Sequence, residues 1–439
     1  MKSPSVSLLA VASVTLLSTF VSGFHHDVDW IKQHLASKAP YPVTGTNRLD
    51  NITKDGYQVD QLQLVVRHGS RYPSDGDTED IADALALLKS STNKDALSWL
   101  HDYENIYTDE RSGRLDENGQ LEEYLHGRRV AKSYPALLQS IFDQGTVKRI
   151  SAYATDSPRV SQSAQAFLLG LLEGHGPLGS SKQITVPMFT LPDDNNTVIS
   201  FYERCPAYDK EVDDNDKTNE QSKLYEEMAE SPIAERLSKE LHINVTAKDV
   251  TKIYTGCSFE VSHRNNVDTF CSLLSRNDIL VNEYREDLSY FYKDAYAYEI
   301  NKHMACDLMK DVMANINAAI SGTEDYDKIS LKFGHTQSIL FSETFLGLFD
   351  DHKLLLANMT QSEINNRAFR TSKIATFASN VAFQVLTKKS ADQKFVRVLV
   401  SEEPVVIPGC KDIVCPIETF RKIMEPRLQC DFNKLCALE

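Results

Sequence analysis

The segment that decides the fold of this chain reads Gln61-Leu62-Gln63-Leu64-Val65-Val66-Arg67-His68-Gly69-Ser70-Arg71-Tyr72-Pro73. Its first half is rich in Leu and Val, which predicts a buried β-strand. The strand runs directly into a loop with two arginines and one histidine. Pro73 stiffens the exit from that loop because its ring fixes φ. A buried strand that ends in polar residues is typical of an α/β sheet, whose carboxyl edge holds the ligand crevice.

Two further segments share this order of strand, polar residues and helix. A strand predicted over 147–153 is followed by Arg159, and a strand predicted over 326–333 is followed by His335. Because the carboxyl ends of parallel strands meet at one edge of a sheet, we expect the polar side chains after the three strands to lie together. These side chains are Arg67, His68, Arg71, Arg159 and His335.

This set of side chains suits a phosphate group. Guanidinium groups bind phosphate oxygens through paired hydrogen bonds and keep their charge at all ordinary pH values. A neutral imidazole can attack phosphorus and form a phosphohistidine. A lone histidine or arginine in a polar loop is more often structural or solvated, so Arg159 and His335 gain their significance from the motif around His68.

Along the rest of the chain, predicted strands alternate with predicted helices. A helical block interrupts them, and within it we predict one long helix over 278–320. The pattern predicts an α/β sheet with a helical insertion. We place a signal peptide at 1–23, an α/β core at 24–190 and 326–439, and a mainly helical cap at 191–325.

The first residues have the pattern of a secretory signal. Lys2 precedes an uncharged, apolar run from Val6 to Val21, and small residues follow before Phe24. A membrane anchor is the alternative, but the run is short for a span. We therefore expect a secreted protein, or one of the lumen of the secretory pathway, that leaves the membrane when its signal is cut.

Cysteines and sequons agree with that route. The chain has eight cysteines, which in an oxidising compartment predicts four disulfides. Short-range pairing suggests Cys257–Cys271, Cys410–Cys415 and Cys430–Cys436, and a zinc site is the alternative use of these cysteines. Four glycosylation sequons predict exposed loops; they begin at Asn51, Asn195, Asn244 and Asn358.

The net charge of −15 argues against a general affinity for nucleic acids or anionic membranes. It permits a small anionic substrate, because a local cluster of basic groups dominates the potential over the few ångströms around it.

At this point the chain resembles a known family, the histidine phosphatases of the acid phosphatase and phytase branch, and within it the multiple inositol polyphosphate phosphatases. The resemblance is carried by the segment 63–73 and, more diffusely, by later landmarks between about residues 38 and 435. The landmarks are Asp156-Ser157-Pro158-Arg159-Val160 with Ser163-Ala164 and Phe167, Cys257-Ser258-Phe259-Glu260, Ala295-Tyr296-Ala297-Tyr298-Glu299-Ile300-Asn301 and Phe333-Gly334-His335.

The resemblance implies a mixed central sheet flanked by helices, with a helical cap over the site. It implies that His68 is the nucleophile and that Arg67, Arg71, Arg159 and His335 hold the phosphoryl group, with His335 also counted as catalytic. It implies no metal and no organic cofactor. The implied partner is a small phosphorylated substrate; the oligomeric state is open.

The sequence departs from this family just after the second histidine. The family has a carboxylic acid there, one or two residues after the histidine, which protonates the leaving group. Here Thr336 and Gln337 stand at those positions, and neither can act as a general acid near neutral pH. Either side chain could contact the leaving group. Asp156, Asp75 or Glu343 could supply the proton, the substrate could supply it, or turnover could be slow.

Three functions follow from this sequence. The first is a secreted phosphomonoesterase for inositol polyphosphates such as phytate, with a phosphohistidine intermediate. The second is an acid phosphatase of broad specificity. The third is a weakly active protein that binds phosphate esters, and its support is the pair Thr336-Gln337.

Overall fold

The computed structural model describes residues 27–42, 51–143, 149–191, 196–322 and 326–438. Within these residues the chain forms an eight-stranded sheet with helices packed on both faces. The strands are β1 Tyr57–Arg67, β2 Ile150–Thr155, β3 Met188–Leu191, β4 Ile329–Gly334, β5 Asn380–Lys388, β6 Gln393–Val400, β7 Glu403–Val405 and β8 Val414–Pro416. The helices are α1 Val28–Lys32, α2 Asp75–Lys89, α3 Glu117–Ser133, α4 Pro135–Phe142, α5 Pro158–Leu172, α6 Pro206–Tyr208, α7 Glu220–Tyr225, α8 Ser231–Leu241, α9 Ala247–Arg264, α10 Arg276–Asp294, α11 Cys306–Ser321, α12 Thr336–Leu346, α13 Gln361–Asn365, α14 Thr371–Ile374, α15 Ile417–Met424 and α16 Phe432–Cys436.

The strand order is β3-β2-β4-β1-β5-β6-β7, with β8 paired to β6. Strand β1 pairs in parallel with β4 and antiparallel with β5, and β2 pairs in parallel with both β3 and β4. The sheet is therefore mixed and flanked by helices, which confirms the predicted fold class. Strand β5 was absent from the sequence prediction.

Strand β1 is central because both of its faces are buried. Leu62, Leu64 and Val66 lie in the core cluster beneath α3, α4 and α5, whereas Val65 lies in the cluster formed with α11, α12 and α15. Gln61 and Gln63 on the second face are also buried, and their side-chain amides donate to backbone carbonyls, Gln61 to that of Asp327 at 2.7 Å and Gln63 to that of Val312 at 3.0 Å. The loop that begins at Arg67 is thus attached to the most buried part of the sheet.

Helices α3 and α5 cross at unusually close range, and this crossing brings their amino ends to the same loop. A side chain at Gly127 would lie 2.0 Å from the carbonyl oxygen of Phe167, and one at Gly170 would lie 2.0 Å from that of Tyr124. Each glycine thus faces the backbone of the other helix, and the two together set the separation of the helices. As a result, Arg159 at the start of α5 and Gly119 at the start of α3 both reach the carboxyl edge of the sheet.

The helical region differs in detail from the prediction. The single long helix predicted over 278–320 is wrong: α10 ends at Asp294 and α11 begins at Cys306. Asn301, which is buried, donates hydrogen bonds from its side chain to the carbonyls of Tyr292 and Lys293. These bonds satisfy the last turn of α10 and allow the chain to turn.

The helices of the predicted cap pack in more than one hydrophobic cluster. Helix α2 packs with α8 and α9 in one hydrophobic cluster, whereas α11 packs against the sheet. The boundaries at residues 190 and 326 stay a prediction.

All eight cysteines form disulfides, so the zinc alternative fails for these residues. Cys257–Cys271 and Cys410–Cys415 pair as predicted. The prediction of Cys430–Cys436 is wrong, because Cys205 bonds to Cys436 and Cys306 bonds to Cys430. The C-terminal segment folds back onto α6 and α11, so its two cysteines find partners far away in sequence.

The predicted signal peptide, Asn195 and the side chain of Asn51 lie outside the described residues, whereas Asn244 and Asn358 are exposed. In the described part of the chain, no helix combines the length and apolar character needed to cross a bilayer.

The long-range disulfides yield a test of the fold. Peptide mapping without reduction should recover Cys205 linked to Cys436 and Cys306 linked to Cys430. Replacing Cys205 and Cys436 together by Ala should lower the free energy of unfolding by about 2–5 kcal/mol, because the unfolded chain regains freedom over a long loop. Recovery of a Cys430–Cys436 fragment would contradict this arrangement.

Candidate active site

The five polar side chains predicted to meet do lie together at the carboxyl edge of the sheet. Arg67 ends β1 opposite Gly334, the last residue of β4, so His68 and His335 follow neighbouring strands. Their rings are 5.5 Å apart between centroids. Arg159 reaches the same place from α5, with its Nη2 3.3 Å from Nδ1 of His335.

The ring of His68 has a defined tautomer. Its Nδ1 lies 2.8 Å from the carbonyl oxygen of Gly69. Because a carbonyl can only accept, Nδ1 carries the proton and Nε2 of the neutral ring has a free lone pair. The side chain is buried, with the residue 3% exposed, and Phe377 packs beside the ring.

The surroundings of His68 keep it neutral. Burial lowers the pKa of its imidazole well below the ordinary value, and the charges of Arg67 and Arg159 lower that pKa further. Adding a proton would place a fourth cation beside three guanidinium groups. The free Nε2 of His68 is therefore available as a nucleophile even in acidic solution.

Arg67 is held in place by backbone carbonyls and by the ring of Phe377. Its Nη1 donates to the carbonyls of Ser37 at 2.7 Å and Ala375 at 2.6 Å, and its Cζ lies 4.6 Å from the ring centre of Phe377. Its Nε is buried and has no hydrogen-bond partner in the described part of the chain. Burial lowers the pKa of Arg67 to about 9, which leaves the group charged at acidic and neutral pH. A buried donor of this kind usually binds a water molecule or a ligand.

Arg159 and Thr155 orient the second histidine. Arg159 can only donate, so Nδ1 of His335 accepts and Nε2 carries the proton of the neutral ring. That Nε2 lies 3.2 Å from Oγ1 of Thr155. Burial, followed by the charge of Arg159, lowers the pKa of His335 to about 3. Both histidines are thus neutral, and the positive charge of the site resides on the arginines.

Arg71 approaches from the loop after β1. Its Nη1 donates to the carbonyl of Tyr72 at 2.7 Å and lies 3.9 Å from a carboxylate oxygen of Asp77. The backbone carbonyl of Arg71 accepts from Nε2 of His263 at 2.7 Å, and Nδ1 of that ring is 3.2 Å from Asp116. This buried support from α9 and α3 was missed in the sequence analysis.

The loop itself is held by backbone contacts that leave no room for side chains. A side chain on Gly119 would lie 2.1 Å from the carbonyl oxygen of Ser70, and one on Gly69 would lie 2.3 Å from that of Gly119. The amide of Gly69 donates to the hydroxyl of Ser163 at 3.1 Å. Helices α3 and α5 therefore fix the peptide that follows His68.

Helix α12 holds the two residues that follow the second histidine and one of the three carboxylates that could supply the proton. Thr336 is buried and Gln337 is half-buried on the first turn of α12. Glu343 is buried two turns further along the helix, about 12 Å from His335 at the usual rise per residue, and is out of reach. Burial also raises the pKa of Glu343 well above its usual value.

The other two carboxylates are exposed. Asp75 accepts a hydrogen bond from the hydroxyl of Ser112. Asp156 is exposed and directly follows Thr155, whose hydroxyl contacts His335. Of the three, Asp156 therefore stands next to the second histidine along the sheet edge.

Comparison with known proteins agrees with this geometry. The model of the histidine phosphatase superfamily (branch 2) matches residues 58–401. A multiple inositol polyphosphate phosphatase 1 of Dictyostelium discoideum is 26% identical, covering 91% of this chain and 76% of its own length. A thiamine-repressible acid phosphatase of Schizosaccharomyces pombe is 25% identical, covering 92% of this chain and 88% of its own length.

Solved structures show the same fold. A phytase from D. castellii superposes with a TM-score of 0.78 at 17% identity, covering 92% of this chain and 87% of its own. A multiple inositol polyphosphate phosphatase of Bifidobacterium longum, in complex with inositol hexasulfate, superposes with a TM-score of 0.68 at 17% identity, covering 87% and 95%.

The close backbone contact beneath the loop can be tested by one methyl group. Gly119→Ala should destabilise the protein by about 1–3 kcal/mol through overpacking and lower phosphatase activity, because the loop after His68 must move away. Gly76→Ala is the matched control, since Gly76 is exposed on α2 and nothing lies within 4 Å of an added methyl group. Equal thermal stability and activity of the two variants would contradict the contact.

Proposed function

Because the chain belongs to the histidine phosphatase superfamily (branch 2) and is a phosphoric monoester hydrolase, we propose that it removes phosphate from inositol polyphosphates through a phosphohistidine on His68. The observation that carries the proposal is the free lone pair on Nε2 of His68. The proton of the ring is on Nδ1, which donates to the Gly69 carbonyl, and three arginines lie beside the ring.

The proposed reaction has two displacements. Nε2 of His68 attacks phosphorus, a P–N bond forms and the P–O bond to the inositol breaks. The alkoxide leaves and takes a proton from Asp156 or from a neighbouring phosphate of the substrate. Water then attacks the phosphohistidine, the P–N bond breaks, and inorganic phosphate and neutral His68 result. Splitting one hard displacement into two easier ones is the benefit of a covalent intermediate.

The roles of the other residues follow from their donors. The guanidinium groups of Arg67, Arg71 and Arg159 bind the oxygens of the phosphoryl group, where negative charge concentrates during transfer. His335 donates from Nε2 once the substrate displaces its contact with Thr155. Preorganised cations of this kind lower the barrier without rearranging during the reaction.

Inositol polyphosphates are the proposed substrate class for two reasons. The Dictyostelium, chicken and human relatives that cover 86–91% of this chain carry the name multiple inositol polyphosphate phosphatase 1. One of the solved structures with this fold holds inositol hexasulfate, an analogue in which sulfate stands for phosphate.

A broad acid phosphatase is the second candidate. Relatives named acid phosphatases, from two yeasts, match 92–99% of this chain at 25–26% identity. If the protein is an acid phosphatase, the absence of an acid at Gln337 favours small substrates with good leaving groups, because such groups depart without taking up a proton. A weakly active phosphate-ester-binding protein is the outcome if neither Asp156 nor the substrate supplies that proton.

We also propose that the protein enters the secretory pathway. The four disulfides need an oxidising compartment to form and persist. The exposed sequons at Asn244 and Asn358 are accessible to glycosylation there, and the apolar run near the start of the chain is the proposed signal.

The role of His68 is tested by substitution. His68→Ala should abolish release of phosphate from phytate, because no other group described here can take the phosphoryl group. His101→Ala is the matched control, since the side chain of His101 is 88% exposed. Phosphate release should be followed from acidic to neutral pH. A His68→Ala protein with full activity would end the proposal.

The missing acid is tested at Gln337. Gln337→Glu should raise turnover of alkyl phosphates, by up to the roughly 10²–10⁴-fold that a positioned acid contributes, and should change turnover of aryl phosphates little. Gln361→Glu is the control, because Gln361 is an exposed glutamine on the first turn of α13. An unchanged rate on alkyl phosphates in folded Gln337→Glu protein would show that another group already protonates the leaving group.

A further inference from the structure

Glu122 is a buried carboxylate on α3 that touches the loop after His68. The residue is 5% exposed. Its Oε2 accepts a hydrogen bond from the backbone amide of Ser70 at 2.7 Å. Its Oε1 accepts from the hydroxyl of Ser70 and from the backbone amide of Tyr41, both at 2.9 Å. Three donors thus converge on one carboxylate, which is the arrangement that an ionised carboxylate requires.

The peptide group between Gly69 and Ser70 links this carboxylate to the nucleophile. Its N–H is the Ser70 amide that Glu122 binds, and its C=O is the Gly69 carbonyl that accepts from Nδ1 of His68 at 2.8 Å. The two hydrogen bonds lie on opposite ends of one planar, conjugated unit. Glu122, the peptide and His68 therefore form a continuous chain.

Such a chain has two physical effects. A carboxylate that accepts a hydrogen bond from the N–H makes the carbonyl oxygen at the other end of the peptide more negative. That oxygen becomes a stronger acceptor, because linked hydrogen bonds polarise one another. The charge-assisted bond to Glu122 also fixes the plane of the peptide, and with it the direction of the Gly69 carbonyl. Both effects hold the His68 ring in place and stabilise the positive charge that it gains as Nε2 bonds to phosphorus.

Opposing influences act on the pKa of Glu122, and burial is the largest of them, so this pKa lies above its usual value. Burial raises the pKa of its carboxyl group, while the bonds from Ser70 and Tyr41 and the charge of Arg67 oppose that rise. The neighbouring Glu123 has no such partners, since neither of its carboxylate oxygens has a hydrogen-bond partner among the described residues. Burial therefore raises the pKa of Glu123 well above its usual value.

We propose that Glu122 is a positioning residue that orients and polarises His68 through the Gly69–Ser70 peptide. The inference rests on the proposed function, because it concerns the step in which His68 becomes phosphorylated. Glu122 does not touch the substrate, so its loss acts on the rate of that step and leaves the arginines that bind phosphate in place.

The test is Glu122→Gln, which keeps the shape of the side chain and removes its charge. Phosphorylation of His68, measured as the burst of phenol released from an aryl phosphate, should slow by about 10- to 100-fold, the range seen when outer carboxylate partners of metal-bound histidines are removed. The dissociation constant for inorganic phosphate should change little, because Glu122 does not touch the bound phosphate. The Nδ1–H proton resonance of His68 should move upfield, because its hydrogen bond weakens; loss of packing alone would not weaken that bond selectively.

Two further variants complete the design. Glu123→Gln is the matched control, since this buried neighbour on the same helix makes no hydrogen bond to the loop, and it should react at the wild-type rate. Glu122→Asp keeps the charge, but the shorter side chain moves the carboxylate away from the Ser70 amide. Phosphorylation of His68 should therefore be slower in this variant. If folded Glu122→Gln or Glu122→Asp shows the wild-type burst and an unshifted Nδ1–H resonance, the inference is overturned. A wild-type protein that hydrolyses phosphate esters without ever carrying phosphate on His68 would instead overturn the proposed function.

Discussion

The site depends on one hydrogen bond, from Nδ1 of His68 to the carbonyl of the residue that follows it. This bond assigns the proton to Nδ1, so Nε2 has a free lone pair. Burial and the cations around the ring keep Nε2 unprotonated. Most other features of the site serve the peptide that accepts this bond. Gly119 lets α3 approach it, Ser163 binds its preceding amide, and Glu122 binds its N–H.

The buried charges of the site explain why an anion must complete it. Three arginines lie at one sheet edge with neutral histidines between them, and Nη1 of Arg71 is 3.9 Å from the carboxylate of Asp77. Arg67 keeps a buried donor without a partner within the described residues. Placing these groups together costs free energy that a phosphoryl group returns when it binds. The acidic overall charge of the chain is compatible with this, because the site acts over a short range.

Much of this arrangement was predictable from sequence, for physical reasons. An apolar run ending in Arg67-His68 identifies a buried strand and its ligand edge, and the same order recurs before Arg159 and His335. The rest depends on tertiary contacts that leave no local pattern. Glu122 is one more acidic residue on a polar helix until Ser70 is placed against it. Likewise, Cys430 pairs with Cys306 only because the C-terminal segment folds back, and α10 ends early because Asn301 binds its last carbonyls.

The most direct measurement is mass spectrometry of the wild-type protein quenched in alkali during turnover, since phosphohistidine survives there. The account predicts one phosphorylated peptide, the one that contains His68, with a phosphate that disappears when the substrate is exhausted. Steady turnover with His68 unmodified at every time point, or phosphate carried by a different residue, would contradict it.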